Sequence, residues 1–347
     1  MNKPAVIKLL LKIMAELEIS FQEIQDIAEP EPADPVGEDF AKGVQMQGVA
    51  RFKTLGTRDP EEAVDLICES IKATKATVIR IPGGKNADGM YHIGPGTGSS
   101  KFGDPAGDFF NGTDVNHMQV YVAAAVRSKV PVIITLHSRF DKASFMEFSG
   151  WVKSTGVEVK AYAVGNEEYS PEDLSRVEGV VRGYPDIIAW IRESGFQGDI
   201  LIPVLVGLNI GGREARAQEY NRLVDEVIDF SDPRICLDIH PYCPIAEYTD
   251  AFPGHTPTDY LDLFLEQLED FYDSKIPIYV TEWARKKQAK YPVEEAILVI
   301  DHYMAYFRGN PRFKACCYNT MDGDRGRGLY DFDKKQLTPQ GEFFAKI

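Results

Sequence analysis

One feature narrows the folds open to this chain more than any other: short runs rich in β-branched residues alternate with longer stretches of helical spacing. Eight runs read as strands: "VQMQGVA" from Val44, "TVIRI" from Thr77, "VIITL" from Val132, "VEVKAYAV" from Val157, "ILIPVLV" from Ile200, "ICLDI" from Ile235, "IYVT" from Ile278 and "KACCY" from Lys314. Helical patterns fall between them at residues 60–73, 115–128, 143–154, 181–194, 214–230, 260–272 and 293–307, with Asp, Pro or Thr often near their starts. Eight strands alternating with helices over about 300 residues predict an α/β chain folded as a (β/α)8 (TIM) barrel. A doubly wound sheet is the structural competitor. It would place a glycine-rich phosphate turn after its first strand, and "VARFKTLG" is not one.

The barrel is expected to occupy residues 39–347. Ahead of it, Val6, Ile7, Leu10, Leu11, Met14 and Leu17 follow helical spacing, and "AEPEPADPVGEDF" reads as an extended, Pro- and acid-rich linker. Residues 1–38 are thus expected to be an N-terminal helical extension. Docking on the protein's own body is the simpler use of its apolar stripe; self-association or an assembly contact is the other.

Composition removes several function classes. A net charge of −15 argues against nucleic acid and anionic membrane as partners, since both select clustered Lys and Arg. Lys8, Lys12 and Glu16 interrupt the N-terminal apolar run, so no signal peptide is read and a cytoplasmic location is expected; signal-free export or residence in a particle are the alternatives. Five cysteines without CxxC spacing read as free thiols. His92, His117, His255 and His302 form no ligand spacing, so neither a metal nor another cofactor is expected. "GPGTGSSK" fails the phosphate-loop spacing, and "NGT" at Asn111 is assigned no role.

In a barrel of this kind the site lies at the C-terminal ends of the strands. Arg80 ends the second strand, His137 the third, and Asn166 and Glu167 the fourth. His240 and Tyr242 end the sixth, Glu282 and Trp283 the seventh, and Tyr318 and Asn319 the eighth. Carboxylates at strands four and seven face each other across a barrel, the arrangement of a general acid and a nucleophile flanking one glycosidic bond. One must hold its proton near neutral pH while the other stays ionised beside donors such as Arg80, Tyr242 or His240. Asn166 offers an amide to a sugar hydroxyl, and Trp283 and Tyr318 offer flat faces to a sugar ring. Glu168 reads as a rim carboxylate.

"RIPGG", "VGNEE", "DIHPY" and "VTEWA", in this order and at these strand ends, resemble the retaining glycoside hydrolases of clan A, nearest to the alpha-L-arabinofuranosidase and related branches. The resemblance runs from about Val44 to the C-terminus, where "GLYDFDKKQLTPQGEFFAKI" is similar to the closing segment of such barrels. It implies Glu167 as acid/base and Glu282 as nucleophile in a double displacement on an oligosaccharide or polysaccharide.

Two other readings stand beside it. The first is a non-catalytic barrel serving as a carbohydrate-binding or assembly component; the second is a metal-dependent barrel with Asp238, His240 and Glu282 as ligands. The long connection after the second strand carries Tyr91, Phe102, Phe109 and Phe110, and is expected to wall the sugar site or to be a structural excursion.

Overall fold

The computed structural model describes residues 40–46, 52–57, 59–81, 110–111, 114–115, 117–136, 141–165, 174–206, 214–243, 256–285, 293–322 and 328–347. Its centre is a closed barrel of eight strands: β1 (Ala41–Gln45), β2 (Val78–Ile81), β3 (Val132–Thr135), β4 (Val159–Ala163), β5 (Asp199–Pro203), β6 (Ile235–Ile239), β7 (Ile278–Trp283) and β8 (Phe313–Tyr318). Each strand pairs in parallel with its neighbours in sequence, and β1 pairs with β8 to close the ring.

Helices intervene in the expected order: α1 (Pro60–Thr74), α2 (His117–Ser128), α3 (Lys142–Thr155), α4 (Leu174–Val181), α5 (Tyr184–Glu193), α6 (Glu214–Val227), α7 (Pro257–Glu269), α8 (Val293–Gly309) and α9 (Pro339–Lys346). Their starts follow local chemistry. Asp59 accepts from the Glu62 N–H to cap α1, and Thr256 with Asp259 forms a reciprocal capping box on α7. Pro occupies the first turn of α1, α5, α7 and α9, where no N–H is needed. The helix expected over 181–194 is α5; α4, ahead of it, was not expected, and Gly183 and Pro185 separate the two. None of the helices described is long and apolar enough to cross a membrane.

β1 lies a little earlier than expected, and it closes tightly on β2 and β8. An added Cβ on Gly43 would stand 2.6 Å from Val78 Cγ1 and 2.7 Å from Cys317 Sγ, so the narrow closure between β1, β2 and β8 admits only glycine there. The neighbouring Lys42 points away from the ring, and its ammonium donates to the Phe344 and Ile347 carbonyls at 2.8 Å each, anchoring α9.

Apolar burial is divided between two shells. Ala41, Val78, Ile133, Ala161, Ala163, Leu201, Cys236, Tyr279, Ala315 and Cys317 fill the lumen. A larger core lies between the ring and its helices. Strand alternation therefore sends every second side chain inward, and above the apolar plug those inward positions turn polar: Gln45, Arg80, Thr135, Asp238 and Thr281 are all buried.

Candidate active site

Simple alternation from Tyr279, which faces the lumen, would send Thr281 inward and Glu282 outward. The register against β8 prevents this. Cys316 pairs with Val280 and Tyr318 with Trp283, so three steps on β7 oppose two on β8. The extra residue is a bulge at Thr281 and Glu282 that turns both side chains into the lumen and sends Trp283 out.

Glu282 is 7% exposed and surrounded by donors. Arg80 Nη1 donates to its Oε1 at 2.5 Å, and Gln45 Nε2 donates to the same oxygen at 2.7 Å. Tyr242 OH donates to Oε2 at 2.6 Å and Asn319 Nδ2 at 3.1 Å. Asn319 Nδ2 also reaches the Tyr242 hydroxyl. Four strands thereby converge on one carboxylate. Burial by itself would raise its pKa, but the charges of His240 and Arg80 and the Tyr242 and Arg80 hydrogen bonds outweigh that and hold it at about 2. Glu282 is thus held as a carboxylate although it is buried, and Arg80 is entirely buried beside it.

A second carboxyl lies on the next strand round the ring. Asp238, on β6, is 2% exposed; its Oδ1 accepts from Thr281 Oγ1 at 2.6 Å, and Thr281 Oγ1 stands 3.0 Å from His240 Nε2. Burial pushes the Asp238 carboxyl up, while the charges of His240 and Arg80 pull the other way.

The expected residues divide into three groups. Arg80, Tyr242 and Asn319 meet at Glu282, and His240 stands beside them, joined to Thr281. His137, Asn166, Glu167 and Glu168 lie outside the described residues, as do residues 1–38 and most of the connection after β2; the described chain stops at Gly165, just past β4. Trp283 and Tyr318 require a correction. Both are buried on the outer side of the ring, where Trp283 packs against Tyr303, Phe307 and Tyr318 at ring centroid distances of 5.6, 5.7 and 5.0 Å. They brace the ring against α8 and present no face to a sugar, because the bulge before Trp283 reverses its side.

Gln45 and Thr281 stand at or beside Glu282 without having been expected there, and Asp238 had been grouped with it only in the metal-dependent reading. The signal for Gln45 and Asp238 was present as polar residues alternating within apolar strands. The arrangement also disfavours the metal reading. Both Glu282 oxygens accept from N–H or O–H donors, one of them a guanidinium, and no trio of His, Cys, Asp or Glu gathers as a ligand set among the described residues.

No protein-family model matches the chain, and no curated protein is similar to it in sequence. Solved structures share its fold. A GH5-4 broad-specificity endoglucanase from an uncultured bacterium superposes with a TM-score of 0.58 at 15% identity, over 89% of this chain and 94% of its own. A GH128 subgroup II endo-beta-1,3-glucanase from Pseudomonas viridiflava gives 0.53 at 14%, over 88% and 97%. A GH5 xyloglucan-specific endo-beta-1,4-glucanase from a metagenomic library, solved with cellotriose, gives 0.52 at 14%, over 87% and 94%. At these identities the likeness establishes the barrel, and chemistry must be argued from the side chains.

Proposed function

We propose that this chain is a retaining glycoside hydrolase of clan A type, with Glu282 as the nucleophile and Glu167 as the acid/base. The observation that carries the reading is the state of Glu282: a buried carboxylate at the mouth end of β7, kept ionised by His240, Arg80 and Tyr242 and bonded also by Gln45 and Asn319. A nucleophile for an anomeric carbon must be charged at working pH and shielded from water, and these donors supply both conditions. Glu282 attacks the anomeric carbon as Glu167 protonates the departing oxygen; water, deprotonated by Glu167, then releases the sugar. Retention requires the two carboxyl groups to lie about 5 to 5.5 Å apart.

The solved barrels that superpose on this one include endoglucanases of two families, which supports an oligosaccharide or polysaccharide as substrate. They lend no support to the arabinofuranosidase branch. A binding or assembly barrel would have no need to hold a buried carboxylate ionised, so the catalytic reading is preferred.

The test is a screen of aryl glucosides, xylosides, galactosides, glucuronides and arabinofuranosides together with cello- and beta-1,3-gluco-oligosaccharides. Wild type is compared with Glu282→Ala and Glu167→Ala. Turnover should vanish in the first variant and return with azide in the second. Turnover that persists in Glu282→Ala would overturn the assignment.

A further inference from the structure

We propose that Gln45 is a positioning residue for the second half of the reaction: by donating to Glu282 Oε1 it leaves Oε2 as the oxygen that bonds the sugar, and it makes Glu282 a better leaving group when water releases that sugar. The inference rests on the glycosidase reading of Glu282, and the bonds that carry it are those of the resting protein.

The four donors described at Glu282 divide by their height in the barrel. Gln45 and Arg80 lie within β1 and β2, where they are register partners; both are wholly buried, and both donate to Oε1, at 2.7 and 2.5 Å. Tyr242 and Asn319 lie beyond the ends of β6 and β8, and both donate to Oε2, at 2.6 and 3.1 Å. Oε1 is therefore turned toward the strands and Oε2 toward the mouth, so a substrate entering from the C-terminal ends of the strands meets Oε2. Gln45 itself is held on both sides. Its backbone carbonyl accepts from the Met321 N–H and the Thr320 hydroxyl at 3.1 Å each, and its side-chain amide reaches Glu282. The side-chain oxygen, by contrast, is buried with no hydrogen-bond partner. A stranded acceptor costs stability, so the charge that the amide N–H meets on Glu282 is what sets this orientation.

In the first step a lone pair on Oε2 forms the bond to the anomeric carbon, the bond to the departing oxygen breaks, and that oxygen takes the Glu167 proton. Oε1 becomes the carbonyl oxygen of an ester and loses much of the charge that Gln45 and Arg80 had met. In the second step water bonds to the anomeric carbon and gives a proton to Glu167, while the bond to Oε2 breaks and its electron pair returns to Glu282. Charge then grows again on Oε1 in front of two donors already in place, which favours the departure. The first step runs against the same bonds, so Gln45 acts unequally on the two halves. Gln45 is the informative donor because it is neutral: removing it alters no charge, whereas removing Arg80 breaks a buried ion pair.

The experiment uses the full chain and 2,4-dinitrophenyl glycosides of the sugars in the aryl panel, whose leaving group needs little help from Glu167. Gln45→Met keeps the length of the side chain and deletes its amide. It should lower kcat about tenfold or more, the worth of one hydrogen bond to a charged group, and lower KM with it, so that kcat/KM moves much less. A burst of dinitrophenolate matching the enzyme concentration should precede the steady rate, because the ester accumulates. If Gln45→Met does not fold, Gln45→Asn, one carbon shorter, is read in its place. A loss of kcat/KM as large as that of kcat, with KM unchanged and no burst, would assign Gln45 to the first step or to structure alone and overturn the proposal; so would an unchanged kcat. Either result, obtained beside an active wild type, leaves the glycosidase reading standing. A wild type inactive across the whole panel would instead sink that reading and this inference with it.

Discussion

Replacing Arg80 with methionine removes the only guanidinium bonded to Glu282 among the described residues and leaves a carboxylate that is 7% exposed to find another way to be stable. Two routes give the size of the effect. Holding a glutamate at about 2 rather than 4.5 corresponds to about 3 kcal/mol at neutral pH. Breaking a buried pair by deleting one partner costs about 3 to 5 kcal/mol. The first figure is shared among His240, Arg80 and Tyr242, so the second sets the scale, and Arg80→Met should lie a few kcal/mol below wild type at pH 7. The sign with pH is fixed as well: a carboxyl depressed in the fold stabilises it above the unfolded value, and that contribution is lost as pH falls from about 4.5 toward 2. In Arg80→Met, burial dominates and the carboxyl rises, so the variant should lose this acid-limb dependence and approach wild type as pH falls. Urea unfolding followed by tryptophan fluorescence at pH 7 and pH 3 measures both. A double-mutant cycle with Glu282→Gln completes the test, because removing both charges should cost less than the two single changes summed. A loss below about 1 kcal/mol at pH 7, or strict additivity in the cycle, would refute a buried, ionised Glu282 held by Arg80.

Two further outcomes follow from the same geometry. Trp283→Ala should cost about 3 to 5 kcal/mol in denaturant unfolding because the ring fills the core against Tyr303 and Phe307; a change in KM for a glycoside at unchanged stability would contradict its outward placement. Gly43→Ala should destabilise by about 1 to 3 kcal/mol through overpacking against Val78 and Cys317, and a neutral melting temperature would mean that the β1 closure yields more readily than its contacts imply.

Much of the fold could be read along the chain because its evidence is local. Continuous β-branched runs such as "VIIT" and "ICLDI" are what strands buried on both faces look like, and caps such as Asp59 and Thr256 mark helix starts within four residues. Strand ends then pointed to Arg80, His240, Tyr242, Glu282 and Asn319, since a closed parallel ring brings the ends of its strands together whatever loops join them.

What the order of residues could not convey was the direction of each side chain near those ends. One additional residue in β7 turns Glu282 into the lumen and Trp283 out of it, and that bulge exists only in the register between β7 and β8. Trp283 and Tyr318 consequently belong to the outer core, although their place beside the site suggested a sugar platform. Gln45 and Thr281 reach Glu282 or its neighbours from positions 237 residues and one residue away from it, respectively, and only barrel closure makes the first of these adjacent. Alternation and composition determined that a barrel would form and which strand ends would be polar. Register, closure and burial decided which of those polar groups share hydrogens, and therefore which carboxylate is kept charged and how its histidine neighbour is held.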